Sequence, residues 1–357
     1  MIVASVGHAF PPHYYDQSQL LDAFKSVWLR EHFNPARLER LHQNVRVGGR
    51  HLALPLAEYQ RLGGWGEAND AWIRVAQEVG AAALERAFAA AGITAAEVDA
   101  FFTVTVTGVA TPSLDARLMN RLPFRPDTKR IPIFGLGCVA GAAGIARAAD
   151  YVRAFPDQIA VLLSVELCSL TVQRGDLSIP NLIATGLFGD GAAAAVVMGE
   201  RAAARRGRGG YAVRATRSVF YPDTEGVMGW DISGHGFQIV LSADVPKMVE
   251  LHLRRDVDRF LAELGSCRAE MGRFVCHPGG PKVLEAMEQQ LETPPGALAA
   301  TWRSLEEVGN LSSTSVLLVL EEALAAPPPV GEKALLLAMG PGFCSELVLL
   351  EACRAEV

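Results

Sequence analysis

Arg130-Ile-Pro-Ile-Phe-Gly-Leu-Gly-Cys138-Val-Ala-Gly-Ala-Ala-Gly144 joins a short apolar run to a segment made almost wholly of very small residues. The run predicts a strand, Gly135 and Gly137 predict a sharp turn, and the small residues predict a helix packed closely on its neighbours. A cysteine at that helix start meets unpaired backbone N–H groups and the positive end of the helix dipole, both of which favour a thiolate. Cys138 is therefore either a nucleophile or a buried structural thiol, the commonest fate of a free cysteine.

Outward from this junction, helical and extended patterns alternate, which predicts a layered α/β protein. Ala71 to Ala91 is a long Ala-rich amphipathic stretch closed by Gly92, and it leads through Thr94-Ala-Ala-Glu97 into the β-rich run Phe101 to Thr107. Gln158 to Glu166 reads as a strand buried on both faces. Phe188-Gly-Asp-Gly191 turns into the small-residue strand Ala192 to Met198. Residues 199–210, rich in Gly and Arg, read as a solvated loop and as the boundary between an N-terminal half, 1–207, and a C-terminal half, 208–357, of similar layout.

The chain has 357 residues, half of them hydrophobic, and a formal net charge of -6. A sizeable core is within reach, and a general nucleic-acid binder is disfavoured. Six cysteines (138, 168, 267, 276, 344 and 353) lack paired metal-ligand spacing, so no metal site or disulfide scaffold is predicted and a reducing compartment fits best. The N-terminus reads as a first strand and not as a signal peptide. With no apolar segment long enough to span a bilayer, the expectation is a soluble cytoplasmic protein.

Two further residues share the address of Cys138. His277 lies where the strand Arg273 to His277 runs into Pro278-Gly-Gly280, and Asn310 lies in Val308-Gly-Asn310-Leu-Ser-Ser-Thr-Ser315, just before an apolar helix. Such junctions put side chains at the rim of an α/β sheet. Singly, the histidine reads as a satisfied polar residue and the asparagine as a helix cap. Together, a Cys, a His and an Asn suit thioester chemistry: a thiolate attacks the thioester, and His and Asn donors stabilise an oxyanion or enolate.

Taken in order and spacing, Gly137-Cys138-Val-Ala-Gly141, Gly186-Leu-Phe-Gly-Asp-Gly-Ala192, His277-Pro-Gly-Gly-Pro281, Gly309-Asn310-Leu-Ser-Ser313 and Gly340-Pro-Gly342 resemble the chalcone synthase-like (type III) polyketide synthases of the thiolase superfamily. The resemblance implies a homodimer of five-layered αβαβα subunits built from two similar halves. It implies that Cys138 carries the starter and growing chain while His277 and Asn310 promote decarboxylation of malonyl-CoA. Coenzyme A thioesters are the implied substrates, with no bound metal or organic cofactor.

The resemblance also assigns a pocket. Phe188 matches a gatekeeping phenylalanine, and its partner phenylalanine is replaced by Ile239. Thr105, Val106, Thr107, Glu166, Cys168, Thr171, Trp230 and Ser312 match positions that set chain length and cyclisation, with Trp230 and Cys168 standing where plant enzymes carry Gly and Thr. Arg37 and Arg40 match basic positions that meet the CoA phosphates, within a stretch that also holds Arg46 and Arg50. Gly137–Gly141 and Ser164–Val172 look closer to bacterial alkylresorcinol and alkylpyrone synthases, which predicts a medium or long fatty acyl starter. The alternatives are a synthase using malonyl-CoA alone to give a naphthalene-type product, and a single-condensation enzyme resembling ketoacyl synthase III. A cysteine hydrolase and a non-catalytic assembly partner fit the motifs less well.

Overall fold

In the computed structural model, which describes residues 1–28, 34–326 and 328–354, the strands are β1 (Ile2–Ala9), β2 (His13–Asp16), β3 (Gly49–Leu52), β4 (Ala100–Thr105), β5 (Lys129–Phe134), β6 (Ile159–Leu167), β7 (Asp190–Met198), β8 (Gly210–Phe220), β9 (Met228–Ser233), β10 (Gly236–Leu241), β11 (Met271–Cys276), β12 (Lys333–Gly340) and β13 (Cys344–Cys353). The helices are α1 (Gln17–Trp28), α2 (Pro35–Asn44), α3 (Leu56–Tyr59), α4 (Trp65–Ala91), α5 (Leu114–Met119), α6 (Ala140–Ala154), α7 (Ile179–Leu187), α8 (Glu200–Arg205), α9 (Val245–Glu263), α10 (Pro281–Leu291), α11 (Ala299–Val308) and α12 (Ser315–Ala325).

Nine strands form one sheet in the order β11-β12-β13-β8-β1-β7-β6-β4-β5. Its pairing directions repeat. From β1 outward, β7 and β6 join antiparallel and β4 joins β6 in parallel; from β8 outward, β13 and β12 join antiparallel and β11 joins β12 in parallel. The two runs meet where β1 and β8 pair antiparallel through Ile2 and Val3 against Ala212 and Tyr211. The chain is thus two similar halves of a thiolase-like fold.

Helices α6 and α12 are sandwiched between the runs. α6 packs on β4, β6 and β7 of one and on β8, β12 and β13 of the other. α4 covers the outer face of the first run, while α9 and α10 cover the second, completing five layers. Strand alternation sorts the side chains accordingly. On β12, Ala334, Leu336 and Ala338 join the central core, whereas Leu335, Leu337 and Met339 join the outer one. β6 is buried along its whole length, as its apolar sequence predicts.

Close approach explains the small residues. A Cβ at Gly7 of β1 would sit 2.4 Å from the backbone N of Ala87 in α4. One at Gly141 of α6 would sit 2.2 Å from the carbonyl oxygen of Ser313 and 2.6 Å from Val316 Cγ1. At Gly144 the nearest atoms are the flexible ends of Leu162, at 2.5 and 2.7 Å.

Two local expectations need correcting. α4 begins at Trp65, six residues before the Ala-rich pattern starts, because the helix sets off directly from Gly64. The basic stretch after Gly199 is not a loop throughout: it contains α8, whose Arg201 and Arg205 lie one turn apart and both bind the carboxylate of Asp157.

Gly141→Ala gains helix propensity but must push a backbone carbonyl, so it is expected to cost about 1–3 kcal/mol of stability. Gly144→Ala, which meets only side-chain ends, is expected to cost less. Urea unfolding midpoints check the order, and equal midpoints would contradict the packing argument.

Candidate active site

Cys138 is delivered by a turn that glycine alone fits. β5 ends at Phe134, Gly135 and Gly137 adopt φ of 98° and 56°, and a Cβ on Gly137 would lie 2.6 Å from Pro341. A single 3₁₀ turn, Gly137–Val139, then feeds α6. Cys138 is buried and its thiol donates to Ser312 Oγ at 3.7 Å. Burial pushes the thiol up to about 12; the Ser312 contact works against this and the negative charge of Glu166 adds to it. The thiolate expected from the helix start is therefore opposed by desolvation, and the resting group is a thiol.

Asn310 and His277 arrive from the other half. Asn310 forms a parallel bridge with Phe188: its N–H donates to Leu187 O at 2.9 Å, and its carbonyl accepts from the Gly189 N–H at 3.0 Å. The carboxamide is oriented at both ends. Oδ1 accepts from the Ser312 N–H at 2.8 Å, and Nδ2 donates to Gly279 O at 3.3 Å, within the turn that follows His277. Ser312, which touches Cys138 on the other side, holds a φ of 48°, a left-handed conformation that costs a non-glycine residue free energy. His277 is anchored through its backbone N–H to Leu337 O at 3.0 Å. Neither ring nitrogen has a hydrogen-bond partner among the described residues, and burial holds the imidazole neutral, down to about 3. An unpaired buried imidazole costs stability, on the order of 1–3 kcal/mol, so its retention points to chemistry.

Behind Cys138 lies a carboxylate wrapped in donors. Glu166 accepts from Val106 N–H at 3.1 Å, Thr107 Oγ1 at 2.9 Å, Thr105 Oγ1 at 3.3 Å and Ser313 Oγ. Burial raises it to about 7 even so.

A cavity of about 480 Å³ opens on the other side of Phe188. The ten pocket positions divide. Phe188, Ile239, Trp230, Cys168 and Thr171 line this cavity; Thr105, Val106, Thr107, Glu166 and Ser312 do not, because they are engaged in the polar cluster around Glu166 and Cys138. Trp230 and Ile239, the two conspicuous replacements, face each other across the β9–β10 hairpin. Trp230 also meets Phe237 edge-on, with ring centroids 5.9 Å apart. The cavity lining does not include Cys138, His277 or Asn310, but it does include Phe188, which is bridged to Asn310.

The basic stretch is likewise split. Arg37 and Arg40 lie exposed on α2, three residues apart, with no carboxylate partner among the described residues. Arg46 instead pairs with Glu285 at 2.9 Å. Arg50 is buried in the cavity wall. Its burial, and that of Asp190 in the Phe188-Gly-Asp-Gly191 turn, escaped sequence reasoning; the flanking glycines, which let other backbone approach, were the available signal. Among the described residues, no group of three or more His, Cys, Asp or Glu could hold a metal, and no helix is long and apolar enough to cross a membrane.

Residues 1–201 match the N-terminal domain, and residues 212–354 the C-terminal domain, of chalcone and stilbene synthases. The chain belongs to that family. It is 52% identical over 349 residues to the 1,3,6,8-tetrahydroxynaphthalene synthase of Streptomyces peucetius subsp. caesius, covering 98% of this chain and 92% of that one. It is 36% identical over 355 residues to a putative chalcone synthase of Bacillus subtilis (strain 168), covering 97% of each. The solved structure of 1,3,6,8-tetrahydroxynaphthalene synthase from Streptomyces coelicolor A3(2), a bacterial type III polyketide synthase, superposes with a TM-score of 0.92 at 31% identity over 100% of both chains. This chalcone synthase-like chain is a type III polyketide synthase, an acyltransferase that works on CoA thioesters by decarboxylative condensation.

The charge of Glu166 raises the Cys138 thiol, so Glu166→Gln is expected to speed iodoacetamide labelling of the Cys138 peptide near pH 8, because removing that charge leaves more thiolate. Peptide mass spectrometry reads the rate. Unchanged or slower labelling in a folded variant would show that Glu166 does not set thiol reactivity.

Proposed function

We propose that this synthase uses malonyl-CoA as both starter and extender and releases a naphthalene-type product. The observation that carries this reading is the 52% identity, across nearly the whole chain, to a 1,3,6,8-tetrahydroxynaphthalene synthase. The carbon count agrees with it: a naphthalene has ten ring carbons, oxygenated at alternate positions in that product, and divides into five two-carbon units with no starter carbons left over. The polar side chains of Ser169, Thr171, Gln173 and Asn181 in the cavity wall are already bonded within the protein, so the starter assignment rests on the similarity and the carbon count. The fatty acyl starter with an alkylpyrone or alkylresorcinol product, expected from the motifs, becomes the outcome that would overturn this reading.

In this scheme the Cys138 sulfur attacks the thioester carbonyl as its S–H bond breaks, the thioester C–S bond to CoA then breaks, and the proton given up by Cys138 leaves on CoA as its thiol. A second malonyl-CoA loses CO2, and the electron pair left behind becomes an enolate. Asn310 Nδ2, which has one N–H to spare beyond its bond to Gly279, and His277 stabilise the enolate oxygen. The enolate carbon then attacks the acyl-Cys138 carbonyl and expels the Cys138 thiolate. The lengthened chain, now on CoA, returns to Cys138 for the next round. Phe188 gates the passage, Arg37 and Arg40 meet the CoA phosphates, and CoA thioesters suffice without a metal or prosthetic group.

The reading includes a homodimer in a reducing cytoplasm. β5 ends the nine-stranded sheet with one side unpaired and Phe134 exposed, and all six cysteines are free thiols.

Incubation with malonyl-CoA alone is expected to yield a ten-carbon hydroxylated aromatic by liquid chromatography–mass spectrometry, with acyl carrier protein having no effect. Product that appears only when a fatty acyl-CoA is added would overturn the starter assignment. A single-condensation product that needs carrier protein would overturn the iterative one. Asn310→Ala and His277→Ala are each expected to lower malonyl-CoA decarboxylation by about 10²–10³-fold, the scale on which a lost oxyanion donor acts.

A further inference from the structure

Arg50 sits in β3 opposite Tyr15, only 2% exposed, in the wall of the cavity. A buried guanidinium is costly to desolvate, and an apolar side chain would pack there at less expense. Its contacts show what the charge holds. Nη1 donates to the carbonyl oxygen of Phe188 at 2.8 Å, and Nη2 donates to Gln17 Oε1 at 3.2 Å. Gln17 in turn donates through Nε2 to Gly186 O at 2.9 Å and to His42 O at 3.3 Å. The pair thus fixes the end of α7 at the gate. The Arg50 stem does the rest: a Cβ on Gly309 would lie 3.0 Å from its Cδ, and one on Gly189 would lie 3.4 Å from its Cβ. These two glycines adjoin the bridged residues Phe188 and Asn310. One side chain therefore bonds Phe188 on one side of the bridge and packs against Gly309, next to Asn310, on the other.

We propose that Arg50 is a positioning residue for condensation: it locks the gate segment to the Asn310 segment, so that the enolate forms only where the acyl-Cys138 thioester can capture it. This rests on the roles given above to Cys138, Phe188 and Asn310. Without the clasp, malonyl-CoA still loses CO2, but the misplaced enolate takes a proton from solvent and leaves as acetyl-CoA instead of forming a carbon–carbon bond. Decarboxylation becomes uncoupled from chain growth.

The test is the ratio of acetyl-CoA released to malonyl units found in product, with malonyl-CoA as the sole substrate. This ratio does not depend on how much of a preparation is active. Arg50→Met is expected to raise it about tenfold or more, as sub-ångström misplacement of reacting groups does, with the malonyl-CoA KM held within about threefold. Arg50→Lys, which keeps the charge but cannot reach both acceptors, is expected to fall between. Gln17→Leu, which frees one arm of the guanidinium, is expected to raise the ratio severalfold and carries the test if Arg50→Met does not fold. An unchanged ratio in these variants, with lower total turnover, overturns the proposal and leaves Arg50 a structural residue. No malonyl-CoA turnover by the unaltered protein would overturn the proposed function itself.

Discussion

The architecture depends on the near absence of side chains along one side of the turn and helix that follow β5. Gly137 lets Pro341 close to within 2.6 Å of where a Cβ would stand, Gly141 lets the Ser313 carbonyl in to 2.2 Å, and Gly340 lies 2.7 Å from the Val139 backbone by the same measure. Each approach joins the segment around Cys138 to the C-terminal half. Interiors pack at crystal-like density, so such contacts are exclusive: a single methyl group in the gap moves backbone. What the glycines bring together is a thiol from one half with a histidine and an asparagine from the other. The candidate site is an interface between two similar structures, and it exists only while that interface is this tight.

Tight burial has an electrostatic consequence. Cys138 is pushed up and His277 down, so each is neutral in the resting protein, and the helix start does not overcome desolvation. Desolvation also strengthens every donor that later meets an enolate, because charge forming in a dry site is stabilised far more than in water. The same surroundings that suppress a resting thiolate therefore favour the charged states of condensation. Glu166, whose carboxyl burial raises to about 7 against the pull of its donors, lies within electrostatic range of both Cys138 and Cys168.

Much of this was legible in the sequence because it is written locally. A strand, two glycines and a cysteine specify a turn wherever they occur, and the same holds for Cys276-His277-Pro278-Gly279-Gly280 and for Gly309-Asn310-Leu311-Ser312. The five layers were an implication of the family resemblance, and the halves looked similar in layout without the sequence showing a duplication. Less legible was anything that depends on who the distant neighbours are. Arg50 reads as one more member of a basic stretch, yet contacts from Gln17, Phe188, Gly189 and Gly309 bury it. Thr105 and Thr107 read as pocket residues until Glu166 consumes their hydroxyls. α8 was hidden because four arginines among glycines carry no apolar periodicity, and it is the pairing with Asp157 that accounts for two of them, Arg201 and Arg205. The starter group is harder still, since it is set by cavity shape and not by a motif.

The central claim is that the thiol of Cys138, one of six free thiols in the chain, carries the growing polyketide. The direct measurement is acid quenching during malonyl-CoA turnover, followed by proteolysis and mass spectrometry of every cysteine-containing peptide. The account predicts acyl adducts, in steps of one ketide unit, on the Cys138 peptide alone. Adducts on another cysteine, or product formation with Cys138 unmodified at every time point, would contradict it.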